Sequence, residues 1–151
     1  MIDLLKVALL SMLPISELRG GIPLGLFLGL NPVTVFFVSV ISNILAIPII
    51  FFFLDNIHSH LLKYGKYKRF FDNYINKKRE KIENKIGTNT EFITLLIFVA
   101  IPLPGTGAWT GSILSWFFNV KRKKAYLAIS LGVLIAGITI MLASLGLIAL
   151  F

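Results

Sequence analysis

The sequence predicts an all-α integral membrane protein: an inverted repeat of re-entrant helical hairpin plus transmembrane helix, with a basic amphipathic linker between the halves. Three observations predict it. The 151 residues are 56% hydrophobic, with a mean hydropathy of +0.85, a composition suited to lipid and sized for one domain. Two uncharged stretches, 33–54 and 125–151, hold 22 and 27 residues, against the roughly 20 that span a bilayer. Two further apolar stretches are interrupted by prolines and glycines too dense for an unbroken helix.

Residues 1–31 form the first hairpin. Its arms, about ten residues each, are too short to span. Its turn, PISELRGGIPLG from Pro14 to Gly25, carries Glu17 and Arg19 in otherwise apolar surroundings. Ionisable groups at membrane depth are costly and usually mark a substrate or ion route. Pro14, Gly20, Gly21 and Pro23 are expected to break the helix, with Pro23 opening the second arm. Irregular backbone at that depth must be satisfied by protein or a wet cavity. The opening run is not expected to be a cleavable signal: no basic region precedes it and no small-residue site follows.

Asn31-Pro32 punctuates the chain, and 32–54 forms the first transmembrane helix. Pro48 lies within it, and Asn43 near its middle calls for an interhelical partner. Residues 55–90 are the linker. Ile57, Leu61, Tyr64, Phe71, Ile75, Ile82 and Ile86 recur at helical spacing among nine lysines and arginines between 63 and 85. This reads either as an amphipathic helix on the membrane surface or as a solvated extension of the span. His58 and His60 do not share a helix face, so no metal site is expected there.

Residues 91–119 form the second hairpin around PLPGTGAWTG, Pro102 to Gly111. A second basic cluster, 121–124, precedes the second span, 125–151. Gly132, Ala136, Gly137, Ser144 and Gly146 give that span a close-packing surface. The halves repeat: Gly21, Gly25 and Gly29 match Gly107, Gly111 and Ser115 at an offset of 86 residues. If each hairpin returns to the side it entered, both basic clusters share one side, which the positive-inside rule makes cytoplasmic. Both termini are then outside, and the hairpins enter from opposite faces of the cell membrane as an inverted repeat.

Several function classes drop out. The chain has no cysteine, hence no disulfide, thiolate nucleophile or cysteine metal site. The net charge of +8 is clustered, which suits topology and anionic headgroups rather than nucleic acid. The hairpins offer Ser16, Thr106 and Thr110 but no histidine or cysteine, so an enzyme is not expected. Two spans and two hairpins enclose little protected volume, so a homodimer is expected to shield the polar turns.

ELRGGIP over 17–23 and PLPGTGAWTG over 102–111 resemble the two signatures of the small multi-drug export protein family. The layout is similar to that of the DedA (VTT-domain) superfamily. The resemblance covers nearly the whole chain apart from the basic linker. It implies transport, and for DedA relatives transport of polyprenyl-phosphate lipids with roles in proton-motive force and drug tolerance. The chain departs from the DedA pattern in carrying no charge between Glu91 and Lys121, so a symmetric two-arginine site is not expected.

The candidate substrate-binding residues are Glu17, Arg19, Gly20, Gly21 and Pro23 in the first turn. In the second they are Pro102, Pro104, Gly105, Thr106, Gly107, Trp109 and Thr110. Arg19 offers a planar fork of donors for phosphate or carboxylate. Gly20 and Gly21 let backbone amides approach a ligand, and two helix starts aim positive dipole ends inward. Thr106 and Thr110 add hydroxyls and Trp109 an amphipathic ring. Glu17 reads as a counter-ion to Arg19, as a proton carrier, or as half of a structural ion pair. The set favours an anionic amphiphile such as a polyprenyl-phosphate lipid, moved by alternating access with no cofactor beyond a coupling proton or cation. The alternative is a proton-coupled exporter of cationic drugs that uses Glu17.

Overall fold

The computed structural model describes residues 2–61, 88–103 and 105–150. Of the expected basic linker, 55–90, the part over 62–87 lies outside the described residues, as do Pro104 and the side chains of His58 and His60; residues 55–61 continue the first long helix and 88–90 open the next. Among those described, six helices follow in order: α1 (Ile2–Met12), α2 (Glu17–Phe27), α3 (Pro32–Leu61), α4 (Thr88–Ala100), α5 (Ala108–Phe117) and α6 (Arg122–Leu150). Within α3 and α6, Pro32–Ile57 and Arg122–Leu147 are apolar over 26 residues each, about 39 Å of helix and long enough to cross a bilayer. Their outward faces stay apolar: Phe37, Ile41, Leu45 and Ile49 on α3, and Leu127, Leu131, Ile138 and Leu142 on α6, are exposed. The interior holds Ser11, Glu17, Ser39, Asn43 and Ser112 among mostly apolar side chains. A helix apolar on every side suits lipid.

The helix ends follow from local chemistry. Pro14 disfavours helical geometry at Leu13, and α1 stops at Met12. The α2 C-terminus closes with a Schellman pair: Leu30 N–H donates to Gly25 O (3.1 Å) and Gly29 N–H to Leu26 O (3.0 Å). Gly29 sits at φ 71°, the left-handed position that this motif needs. Asn31 then caps α3, its Oδ1 accepting from Val33 N–H (3.0 Å) and Thr34 N–H (3.3 Å), with Pro32 at the first helical position.

The α5 C-terminus repeats the device. Val120 N–H donates to Ser115 O (2.9 Å) and Asn119 N–H to Trp116 O (3.1 Å), with Asn119 at φ 56°. Position for position, 17–30 and 107–120 run through the same order of buried, half-buried and exposed sites. The matching caps and burial order align 17–30 with 107–120 at an offset of 90 residues, not the 86 of the glycine spacing. Small residues spaced four apart look alike after a shift of four, which is about one helical turn. The glycine spacing could not choose the register, whereas the capping bonds do.

Two expectations about α2 are corrected. The helix begins at Glu17 and runs through Gly20, Gly21 and Pro23; the glycines do not break it, and Pro23 lies in its interior. Close packing explains the glycines. A Cβ on Gly21 would stand 1.9 Å from Ser11 Oγ, and one on Gly25 would stand 2.6 Å from Val35 Cγ2. Pro23 is exposed and forfeits the bond to Arg19 O.

α3 and α6 run antiparallel. Arg122, which opens α6, pairs with Asp55 late in α3, at 2.6 and 2.7 Å. Gly137 packs on Val40 and Phe36, early in α3. Trp116 at the end of α5 also donates to Asp55 Oδ1 (2.9 Å), and the Arg122 guanidinium lies 4.3 Å from the Phe51 ring centre. The α5 C-terminus thus sits at the Asp55 end of α3, whereas the α2 C-terminus leads into the Pro32 end. The two hairpins approach from opposite ends of α3, and their turns meet midway.

Candidate functional site

The meeting point is a reciprocal junction. α5 starts after Gly107, which has no side chain to cap it. Glu17 supplies the missing acceptor from the other half: its Oε1 accepts from Trp109 N–H at 3.1 Å. A carboxylate on the first turn of a helix satisfies orphan donors and the positive dipole end together. In return the Trp109 indole Nε1–H donates to Met12 O at 2.8 Å, closing a free carbonyl at the α1 C-terminus. Arg19 donates from Nη2 to Thr106 O at 2.5 Å. Each turn thus completes hydrogen bonds that the other cannot make alone.

Local structure holds these groups in place. Glu17 is 6% exposed and sits at φ 45°, a left-handed conformation costing roughly 1–2 kcal/mol for an L-residue. Ser16, just before it, donates its hydroxyl to Leu10 O (2.5 Å) and so ties the turn to α1. In the other turn Thr106 Oγ1 accepts from Leu103 N–H (3.1 Å) and lies 2.6 Å from Ile101 O and 2.8 Å from Leu103 O. Its hydroxyl proton is shared between those two carbonyls. Gly107 adopts φ 138° and ψ −166°, and a Cβ there would stand 1.8 Å from Glu17 Oε2. Glycine at 107 is what allows the carboxylate to approach.

Between the turns is a small void, ≈ 10 Å³ of space for a water centre, lined by Glu17, Arg19, Pro102, Thr106, Gly107 and Asn43 among others. That is about the room one water needs. Asn43 is 1% exposed, and neither amide atom has a hydrogen-bond partner. It lies about 17 Å along α3 from Pro32. Sequence reasoning did not place it among the binding residues; only its position midway along an apolar span hinted at a role.

The other predicted site residues divide. Glu17, Arg19, Pro102, Thr106, Gly107 and Trp109 come together at the junction. Gly20 and Gly21 face α1, and Gly20 N–H donates to Ser16 O (2.9 Å), so it is not offered to a ligand. Pro23, Gly105 and Thr110 do not line the void. The expected pairing of Glu17 with Arg19 is also corrected. Among the described residues Lys6 pairs with Asp3 and Arg122 with Asp55, and no ion pair joins Glu17 to Arg19. The two charges at the junction instead bond the backbone of the opposite turn, where the start of α5 offers an unsatisfied N–H and the loop before it a free carbonyl.

No curated protein and no solved structure matches the chain. A family model does, over residues 17–139, from the Glu17 turn through most of α6. By that match the chain belongs to the family described as "Putative small multi-drug export protein".

Proposed function

We propose that the protein exports small amphiphilic compounds across a membrane by alternating access, with the junction of the two turns as the gate. One observation carries the reading: the hydrogen bonds joining the turns are cross-half bonds from Glu17, Arg19 and Trp109 to helix ends and loop carbonyls. Such bonds can be exchanged for substrate or water as a unit when the halves rock. In this reading the hairpins are re-entrant, and the halves form an inverted repeat about the membrane middle, a plan that puts binding between broken helices. The end bearing Asp55, Arg122 and the basic linker is cytoplasmic, and both termini are outside. Cysteine at Ser59 should then resist an impermeant thiol reagent in intact cells; its labelling would reverse the orientation.

The test is efflux of a cationic dye from proteoliposomes, with binding of a polyprenyl phosphate measured alongside. Wild type should move the dye. Arg19→Ala and Glu17→Ala, while still folded, should each cut the rate by about tenfold or more, since each removes a charge-assisted bond. A wild type that moves no dye, or an Arg19→Ala variant that moves it normally, would overturn the reading. A polyprenyl-phosphate carrier is the second reading, favoured by the guanidinium of Arg19: of its five donors, the Thr106 O bond uses one. Phosphate binding by wild type, lost in Arg19→Ala and partly kept in Arg19→Lys, would favour it.

A further inference from the structure

Resting on the export reading, we propose that the cleft between α4 and the C-terminal end of α5 binds a lipophilic organic cation, with Glu91 as the charge that recognises it. The cleft is ≈ 270 Å³, near the lower bound of small-molecule sites. Its walls include Phe98, Phe118 and Leu114, with Thr94 and Ser115 as polar points and Glu91 among them. Among the described residues no lysine or arginine lines it, although the chain as a whole carries a net charge of +8. The larger cavity beside α3 and α6 (≈ 660 Å³) is instead bordered by both Arg122 and Lys123. An aromatic, apolar cleft with one carboxylate complements a cation that is itself mostly apolar.

Glu91 is available for that role. Among the described residues, Asp3 pairs with Lys6, Asp55 with Arg122, and Glu17 accepts from Trp109 N–H. Glu91 is the one described carboxylate with no ion pair and no hydrogen bond. It is half-buried. Its place in the first turn of α4 would favour an acid by the helix dipole alone, but the dipole does not account for the cleft.

The repeat shows that the cleft is a departure. Ser115 stands where Gly25 stands in the first half, 90 residues earlier. Around Gly25 the side chains of Val35 and Val7 fill the space, 2.6 and 3.1 Å from a Cβ. In the second half the close packing is one turn away, where Gly111 meets Val99, and Ser115 faces the cleft. The cleft also lies at the Asp55 end of the bundle, the side from which an exporter collects its substrate in the proposed orientation. Among the described carboxylates, Glu17 caps α5 in this arrangement, which leaves Glu91 as the one open to a cation.

Tetraphenylphosphonium and tetraphenylborate match in size and shape and differ in charge, so equilibrium dialysis with each, on the purified full chain in lipid nanodiscs and with uptake by empty nanodiscs subtracted, isolates the carboxylate. The phosphonium should bind wild type, and bind about tenfold or more weakly to Glu91→Gln; the borate should bind wild type more weakly than the phosphonium. Thr94→Trp, which fills the cleft and keeps the charge, should weaken the phosphonium similarly. Equal binding of the phosphonium to wild type and Glu91→Gln, no binding to wild type, or preference for the borate would each overturn the site. Dye efflux separates the two readings. Efflux with phosphonium binding indifferent to Glu91 leaves the export reading standing and removes this site. Glu91-dependent binding without efflux leaves the site and removes the export reading.

Discussion

Gly107→Ala is expected to destabilise the protein by about 3 kcal/mol or more, measured as loss of folded yield and a lower unfolding temperature in detergent. Two costs combine. The dihedrals φ 138° and ψ −166° lie in a region that is essentially restricted to glycine. The new methyl would also stand 1.8 Å from Glu17 Oε2, forcing the carboxylate off Trp109 N–H and leaving the α5 start uncapped. The second cost depends on Glu17 and the first does not. Glu17→Ala should itself destabilise by about 1 kcal/mol through the lost cap. Added to Gly107→Ala, it should cost less than the sum of the singles, because the clash is already gone. Strict additivity would show that Glu17 and Gly107 are not apposed. A Gly107→Ala variant as stable as wild type would also remove the strained dihedrals from the account.

The membrane class and the helix-rich plan were legible in composition and in the two long uncharged stretches, because burial in lipid leaves a compositional mark. The importance of Glu17 and Arg19 was legible too, since ionisable groups are rare in such surroundings. Their partners were not. Glu17 and Arg19 invite mutual pairing in one dimension, but each contacts a backbone group about ninety residues away: Trp109 N–H, orphaned at the start of α5, and Thr106 O, a carbonyl of the loop before it. The start of α2 was misplaced for a related reason. Gly20 and Gly21 carry a helix-breaking propensity of about 1 kcal/mol each, and packing against Ser11 and Val7 overrides it. The repeat register failed by one turn because glycine spacing is periodic in the very interval that was in question. The basic cluster at 121–124 and Glu91 were visible as letters, but the cleft beside Glu91 depends on how α4 and α5 diverge.

Asn43→Leu should separate stability from transport. Leucine reproduces the branched outline of asparagine and replaces both unpartnered amide atoms with methyls. Each buried unsatisfied polar group costs about 1–3 kcal/mol, so the variant should unfold at a higher temperature than wild type, a direction few substitutions take. Export should nonetheless fall by about tenfold or more if the amide works when the turns part. On parting, Trp109 N–H loses Glu17 and Thr106 O loses Arg19. Asn43 lines the same void and carries both a donor for a carbonyl and an acceptor for an N–H or guanidinium. It can hold the exposed groups in the open state at the expense of remaining unsatisfied in the closed one. Ser39→Ala is the control. Its hydroxyl is also buried and unpartnered, but it does not line the void, so that change should add stability and leave dye efflux unaltered. An Asn43→Leu protein that exports normally would reduce Asn43 to a packing residue. One that unfolds at a lower temperature would show that its amide is already satisfied in the closed state.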